Sequence, residues 1–342
     1  MTSQVGKNKT SMKFFEPFTT GLGIEVSDHH LRLAQVGFFG SVIRMEEVVL
    51  PEGLVRDEHV EKPDELKSIV KDKLTSFGLT ERPYRVTILV PESRIFSHST
   101  EIPRTVPAED RKRKAREIAQ REIPVPFSQA RLCLAVGNRE GEVVPATTYV
   151  IEKQVFDPLH AVFTQDFLRL VAMEANTKAL LRLLTMSGSQ RREDATPGSL
   201  MAMVDVGNAW STLSLYSRLG MNVFSRTIPH ATKGKPIPKN GELPEAAVDS
   251  IIATLKETVL FFEQKHLSIG SVILGGVESQ DDRFKKKFEQ DKTSFEIRLI
   301  SDLVKMEGVS KNQLHAFGSA IGAALRSAHP SKYKQHYNFL ET

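Results

Sequence analysis

The chain has 342 residues, a formal net charge of only +4 and 40% hydrophobic residues, a balance that fits a globular protein large enough for two lobes. No run of about 18 consecutive apolar residues is present, so no membrane-spanning helix is expected. The lone Cys133 leaves no intramolecular disulfide and points to a reducing, cytoplasmic compartment, while so small a charge predicts no nucleic-acid role.

Residues 1–20 read as a polar, mobile leader without the apolar core of an export signal. Strands are predicted over 23–26, 31–36 and 41–50, then a helix over 62–77 capped by Gly78, and a buried strand over 85–90 stopped by Pro91. A strand over 94–102, a helix over 107–122, two strands over 130–137 and 143–151, and a helix over 155–163 form a separate small α+β unit. The basic run Arg111-Lys112-Arg113-Lys114-Ala115-Arg116 falls on the first of these helices. It reads as a solvated face, or else as a contact for an acidic partner or anionic headgroups. A further helix is predicted over 168–186, with Glu174 on it facing solvent or a cleft, followed by a polar loop over 187–199.

The second half repeats the opening pattern, with strands over 200–206, 212–217 and 221–228 and a Lys/Pro/Gly-rich loop over 232–241. A long helix over 245–266, a strand over 271–274 running into Gly275-Gly276, and a final helix over 312–327 follow. Gly318 and Gly322 on that last helix mark places for close approach of another backbone or a ligand, and the polar tail after 328 is expected to be loosely held.

One motif occurs twice. Ile24-Glu25-Val26-Ser27-Asp28-His29-His30-Leu31-Arg32-Leu33 and Val204-Asp205-Val206-Gly207-Asn208-Ala209-Trp210-Ser211-Thr212-Leu213 each run an apolar strand into an acid, a Val, a tiny residue, a short turn and an alternating strand. Such a hairpin sets a carboxylate at a strand end beside turn N–H groups able to cradle an anion. Two of them facing each other make a phosphate clamp.

In order along 21–326, these pieces resemble the actin-like ATPase superfamily, and within it the PilM-type proteins of type IV pilus assembly. The resemblance rests on Gly23-Ile24-Glu25-Val26-Ser27, Leu89-Val90-Pro91-Glu92-Ser93, Glu101-Ile102-Pro103, Glu122-Ile123-Pro124-Val125-Pro126, Asp205-Val206-Gly207 with Ser211-Thr212-Leu213, and Val272-Ile273-Leu274-Gly275-Gly276. It implies an α/β, two-lobed actin-like fold with ribonuclease H-like halves and a small α+β insertion. Residues 21–92, 166–197 and 312–327 would form the first lobe, 93–165 the inserted subdomain and 198–311 the second lobe, with 1–20 a flexible leader and 328–342 a loose tail. ATP or ADP with Mg²⁺ would sit between the lobes, with no redox cofactor and no structural metal. The partner implied is the N-terminal cytoplasmic peptide of a single-span PilN-like membrane protein, gripped beside the insertion. Other pilus platform proteins are further partners, and the protein would be peripheral to the inner membrane.

Residue by residue, the resemblance assigns Asp205 to a water-mediated Mg²⁺ contact, and Gly207, Asn208, Ser211 and Thr212 to the second phosphate turn. It assigns Gly275 and Gly276 to the adenosine side. Glu25 and Ser27 stand where the family has Asp and Gly. Glu25 is one methylene longer than a metal-water ligand should be, Ser27 lacks glycine's access to positive φ, and Asp28 adds negative charge where an anion belongs. The reading is therefore of a scaffold with weak or absent hydrolysis. A working ATPase and an FtsA-like filament-forming membrane tether are the alternatives, and the last would need an amphipathic C-terminal helix that 331–337 does not pattern.

Overall fold

The computed structural model describes residues 20–81, 83–137, 141–186, 199–207, 209–218, 220–230, 243–291, 295–333 and 336–341. The first sheet starts with an antiparallel meander of β1 (Gly21–Val26), β2 (His30–Val36) and β3 (Val42–Val49). A two-residue-strand hairpin, β4 (Val55–Arg56) with β5 (His59–Val60), and helix α1 (Pro63–Ser76) lead to β6 (Tyr84–Val90), which lies parallel to β1. β7 (Ile95–Pro103), β8 (Ala130–Val136) and β9 (Val143–Glu152) form their own antiparallel sheet in the order β7-β9-β8, carrying α2 (Arg111–Glu122). After α3 (Lys153–Phe163), β10 (Leu168–Ala175) returns to the first sheet as its edge, parallel to β6, and runs into α4 (Asn176–Met186).

The first sheet thus has the order β10-β6-β1-β2-β3. The second half builds the same arrangement from β11 (Ser199–Val206), β12 (Trp210–Ser217), β13 (Asn222–Pro229), β14 (Ser268–Gly275) and β15 (Glu296–Leu299), in the order β13-β12-β11-β14-β15. In each, three antiparallel strands are followed by two parallel ones on the far side of the first strand. The repeated motif is therefore the first hairpin of two equivalent sheets. Helices α5 (Glu245–Glu263) and α6 (Asp282–Asp291) belong to the second half, and α7 (Lys311–Ala328) closes the chain's helical part with a Ser310–Gln313 capping box at its start.

One core lies under the first sheet and reaches Cys133 and Tyr149 of the inserted unit, while another lies between β11–β14 and α5. A third joins them: Leu180, Leu183 and Leu184 of α4 and Ile321 and Leu325 of α7 pack with Val36 of β2 and Met203 of β11. Here α4 and α7 cross so closely that a Cβ at Gly322 would sit 2.1 Å from the Ala179 carbonyl oxygen. This is the close backbone approach expected at that glycine, and its occupant is a neighbouring helix.

Four expectations are corrected. The segment 168–186 is a strand followed by a helix. Its short apolar run suits either period, and parallel pairing with β6 selects the strand for Leu168–Ala175. The helix expected from 107 starts at Arg111, because Pro107–Asp110 forms a turn closed by the Asp110 N–H on the Pro107 carbonyl. The tail is not loose: Tyr333, Tyr337 and Phe339 are buried, Phe339 at 1% exposure, since the crevice between β10 and the inserted unit takes up the rings of Tyr337 and Phe339 while the Arg182 guanidinium lies over that of Tyr333. The strand expected from 212 opens at Trp210. The loop 232–241 lies outside the described residues.

Candidate functional site

The two hairpins superpose in their hydrogen bonding. The Ser27 N–H donates to the His30 carbonyl at 2.9 Å and the Gly207 N–H to the Trp210 carbonyl at 3.0 Å, so each turn spends its first N–H on closing itself. Glu25 lies across from Arg32 and Asp205 across from Thr212, which puts both members of each pair on one face. The two faces meet across a cleft of about 890 Å³, including its open mouth.

Among the expected residues, Glu25, Ser27, Asp205, Gly207, Thr212 and Gly276 line this cleft. Ser211 does not. Next to Thr212 on a strand, it points to the opposite face, where its hydroxyl pairs with His230 Nε2 at 2.8 Å. Gly275 also turns away, toward Leu180 and Ile300. Gly276, at φ +91°, leaves no space for a side chain, because a Cβ would lie 2.5 Å from Asp205 Oδ1 and 2.6 Å from Val206 N. Its bareness serves contact with the second hairpin. Asn208 lies outside the described residues.

The cleft is acidic. Glu25, Asp28, Glu58, Glu92 and Asp205 all line it, with Arg32 as the one guanidinium among the lining residues described. Arg32 is itself engaged, since its Nε donates to Glu47 at 2.6 Å and its Nη1 to Glu25 at 3.5 Å. Burial pushes the Glu25 carboxyl up to about 7 against the opposing pull of Arg32. Burial and then Asp28 push Glu58 up to about 8, and burial pushes Glu92 to about 7. Asp205 is raised by burial as well, opposed by the Asn176 side-chain amide that donates to its Oδ2 at 3.2 Å. The Asp28 carboxylate accepts the Asp57 and Glu58 N–H groups at 2.9 and 2.7 Å, which fixes the β4–β5 turn with its two positive-φ residues at the cleft's rim.

These groups do not fit a magnesium–triphosphate held from both hairpins. Where these carboxyls are ionised, a phosphate charge brought within about 4 Å of one meets ~4 kcal/mol of repulsion at an effective dielectric near 20, and where burial keeps them protonated they offer no charge to a cation. The first turn keeps Ser27 where its hydroxyl is also tied to His30 at 3.2 Å.

Two buried networks escaped sequence reasoning. Glu92 accepts the Thr177 N–H and hydroxyl at 2.9 and 2.6 Å and the Ser214 hydroxyl at 2.9 Å, joining both sheets to the start of α4. Its position after a buried strand and a Pro was the only local signal. Glu174, expected on a helix with a cleft or solvent in front of it, is wholly buried on β10. It takes the Arg182 guanidinium in two bonds of 2.6 and 2.7 Å and also pairs with Arg326, so two cations hold its carboxyl down at about 2 despite its burial. Arg182 and Arg326 lie eight residues ahead and far along the chain, where no local pattern links them to Glu174.

The paired sheets, the cleft between their first hairpins and the inserted three-stranded unit define an actin-like two-lobed fold. Among solved structures the chain is similar to the "PilM-PilN type IV pilus biogenesis complex", at a TM-score of 0.71 and 19% identity over 92% of this chain and 100% of the other. At that identity the likeness is one of fold. It is also similar, at a TM-score of 0.49 in both cases, to a Bacteroides thetaiotaomicron protein with actin-like ATPase fold and unknown function (12% identity; 84% of this chain, 93% of that one) and to the ethanolamine utilization protein EutJ from Carboxydothermus hydrogenoformans (10%; 90% and 89%). No family model and no curated protein matches the chain.

Proposed function

We propose that this protein is an actin-like scaffold of a type IV pilus or related envelope machine, acting by binding rather than by hydrolysis. The observation that supports the reading is the inter-sheet cleft, lined by five carboxylates and by Arg32, which is already engaged with Glu47 and Glu25. The likeness in fold to the PilM-PilN complex supports the choice of machine. Among the described residues no helix is long and apolar enough to cross a membrane, which agrees with a chain held at the inner face by partners. In this reading residues 93–165 form the docking unit and grip a cytoplasmic peptide of a PilN-like single-span protein, while ATP or ADP, if taken up through Asp205 and Gly207, adjusts lobe closure without productive turnover.

Calorimetric titration with Mg·ATP and a pull-down from detergent-solubilised membranes test the proposal together. Weak or absent nucleotide binding with capture of a short single-span protein is the expected result. Tight binding with turnover would overturn it.

A further inference from the structure

The sheet of the inserted unit is covered on both faces. On β9, Tyr149 and Ile151 join the core of the first sheet, and the Thr147 hydroxyl donates to the Asn222 carbonyl of the second half at 2.6 Å. Alternation along the strand turns Ala146 and Val150 the other way, where they pack with Ala115 and Ala119 of α2. Both lobes therefore meet one side of this sheet, and α2 covers the other.

That outer helix holds the chain's surplus charge. The twelve residues of α2 include six cations and two acids, so it alone carries +4, the formal net charge of the whole chain. Arg111 turns inward and puts its Nε on the Val106 carbonyl at 3.1 Å. Lys112, Arg113, Lys114, Arg116 and Arg121 are exposed. At about 3.6 residues per turn they spread over the side opposite Arg111, Ala115 and Ala119. The acid among them, Glu117, is taken up by Arg113 at 2.7 Å and lies 3.9 Å from Lys114. Lys112, Arg116 and Arg121 make no ion pair among the described residues.

This placement works against the helix itself. Its first turn has no acid, and Arg111 to Lys114 stand where the macrodipole favours anions. Asp110, at the cap position, bonds no helix N–H and pairs with Arg113 instead. Lys112 and Arg116 repel each other four residues apart on one face. A break with local preference of this kind marks a functional position, and an anionic surface outside the chain supplies the charge that the helix lacks.

The pattern favours a lipid surface over nucleic acid or protein. The outward side of α2 exposes no aromatic ring on which a base could stack. Nor does it expose an aliphatic or aromatic anchor of the kind that dominates protein–protein interfaces. Among the described residues of the inserted unit, the one large apolar side chain left exposed is Phe96, at 39%. Paired with Val150 in register, it lies on α2's side of the sheet. A single ring beside several cations suits the headgroup level of an anionic leaflet.

We propose that the outward side of α2, with Phe96 beside it, is a docking surface for anionic lipid headgroups that lays the inserted unit against a bilayer. The inference rests on the reading of a chain held at the inner membrane face, to which it adds a direct lipid contact.

The test sediments the full chain with vesicles of phosphatidylcholine alone or with about 30% phosphatidylglycerol. Partition at least about 30-fold stronger onto the anionic vesicles is expected, because each cation at such a leaflet contributes roughly 5-fold. The variant carrying Lys112→Ala, Lys114→Ala, Arg116→Ala and Arg121→Ala, which removes exposed groups alone, should lose that preference. Equal partition of the parent onto both vesicles, or an unchanged preference in the folded variant, overturns the proposal. If the variant does not fold, salt decides on the parent chain: loss of partition at about 0.5 M NaCl supports the surface, and partition that survives overturns it. Tighter retention of duplex DNA or polyglutamate than of anionic vesicles gives the helix to another partner and also overturns it. The membrane pull-down separates the two readings. A parent that captures a single-span protein but ignores the vesicles sinks the lipid surface alone, and vesicle binding without any such capture sinks the scaffold reading alone.

Discussion

Glu92 and Ser214 tie the two sheets together: a carboxylate carried just beyond β6 accepts the hydroxyl of a β12 residue at 2.9 Å. Because the same carboxylate also takes two donors from Thr177 at the start of α4, one buried acid spans both sheets and the helix between them. Glu92→Ala leaves the buried Thr177 N–H without its acceptor and takes one partner from the Thr177 and Ser214 hydroxyls, which keep Tyr216 and Ser225, and a buried donor without its acceptor costs ~1–3 kcal/mol. We expect a loss of about 3 kcal/mol in urea denaturation, with Glu92→Gln losing less than half of that. An alanine variant as stable as the parent would mean that the clasp adds nothing.

The cleft acids set the pH dependence. Glu25, Glu58 and Glu92 are raised from an ordinary 4.5 to about 7, 8 and 7, chiefly by burial. A carboxyl raised on folding lends stability that is complete below its unfolded value and disappears as pH climbs through the folded one. Stability should therefore decline from about pH 5 to about pH 8. Glu92→Gln should flatten that decline, as followed by thermal unfolding across the range; an unchanged slope would remove Glu92 from the account.

On the acid side the signs reverse. Glu174 is lowered to about 2, where its two arginines outweigh the burial that opposes them, and His336 in the tail is lowered to about 3 by burial and then by Lys178 and Arg182. Stability from these groups is present above their ordinary values and drains away as pH falls toward the folded ones. Tail amides should lose hydrogen-exchange protection as pH drops below about 6, since a charged His336 would face Lys178 and Arg182. Protection that holds steady down to about pH 4, after correction for intrinsic exchange, would contradict this.

Removing the charge of Glu174 leaves Arg182 and Arg326 buried without their counter-ion, an arrangement that costs ~3–5 kcal/mol when one partner of a buried pair is lost. Glu174→Gln should destabilise by that amount in denaturant melts. It should also loosen the tail, because Arg326 holds the Tyr337 and His336 carbonyls at 2.9 and 3.1 Å. A loss below about 1 kcal/mol would show that the cations find other partners.

Asp205→Ala tests whether the second hairpin matters to partner capture. The Asp205 carboxylate bonds Asn176 and abuts Gly276, away from the groove between β10 and the inserted unit. Capture of the membrane partner in pull-downs should be unchanged. Loss of capture accompanied by loss of ATP turnover would restore an energy-coupled mechanism.

Much of the second half was legible from local pattern. The strand starting at Ser199, the long α5 and the glycine pair after β14 all follow from apolar spacing and turn residues within a few positions of each other. Glu174 shows where that reasoning fails. Leu168–Ala175 has no period of its own that separates strand from helix, and its strand state comes from β6, where Leu168 pairs with Tyr84 and Ala175 with Val90, far back in the chain. Mistaking it for a helix also concealed Asn176 and Thr177 at the true start of α4, and with them the clasp on Glu92 and the bond to Asp205.

By itself the sequence determined the repeat: two hairpins with an acid at the strand end, and from their residues the direction of each side chain, because alternation along a strand is a local property. It also marked the first hairpin as a poor phosphate holder, since the lengths of Glu25 and Ser27 are read at those positions alone. Only the tertiary structure decided that five carboxylates share one cleft, that Gly276 is bare to meet Asp205, and that Tyr337, Asn338 and Phe339 fill a groove instead of trailing in solvent. Burial, and the shifted acidity and docked tail that follow from it, arises from surfaces brought together by strand pairings far apart in the chain, and no local spacing records it.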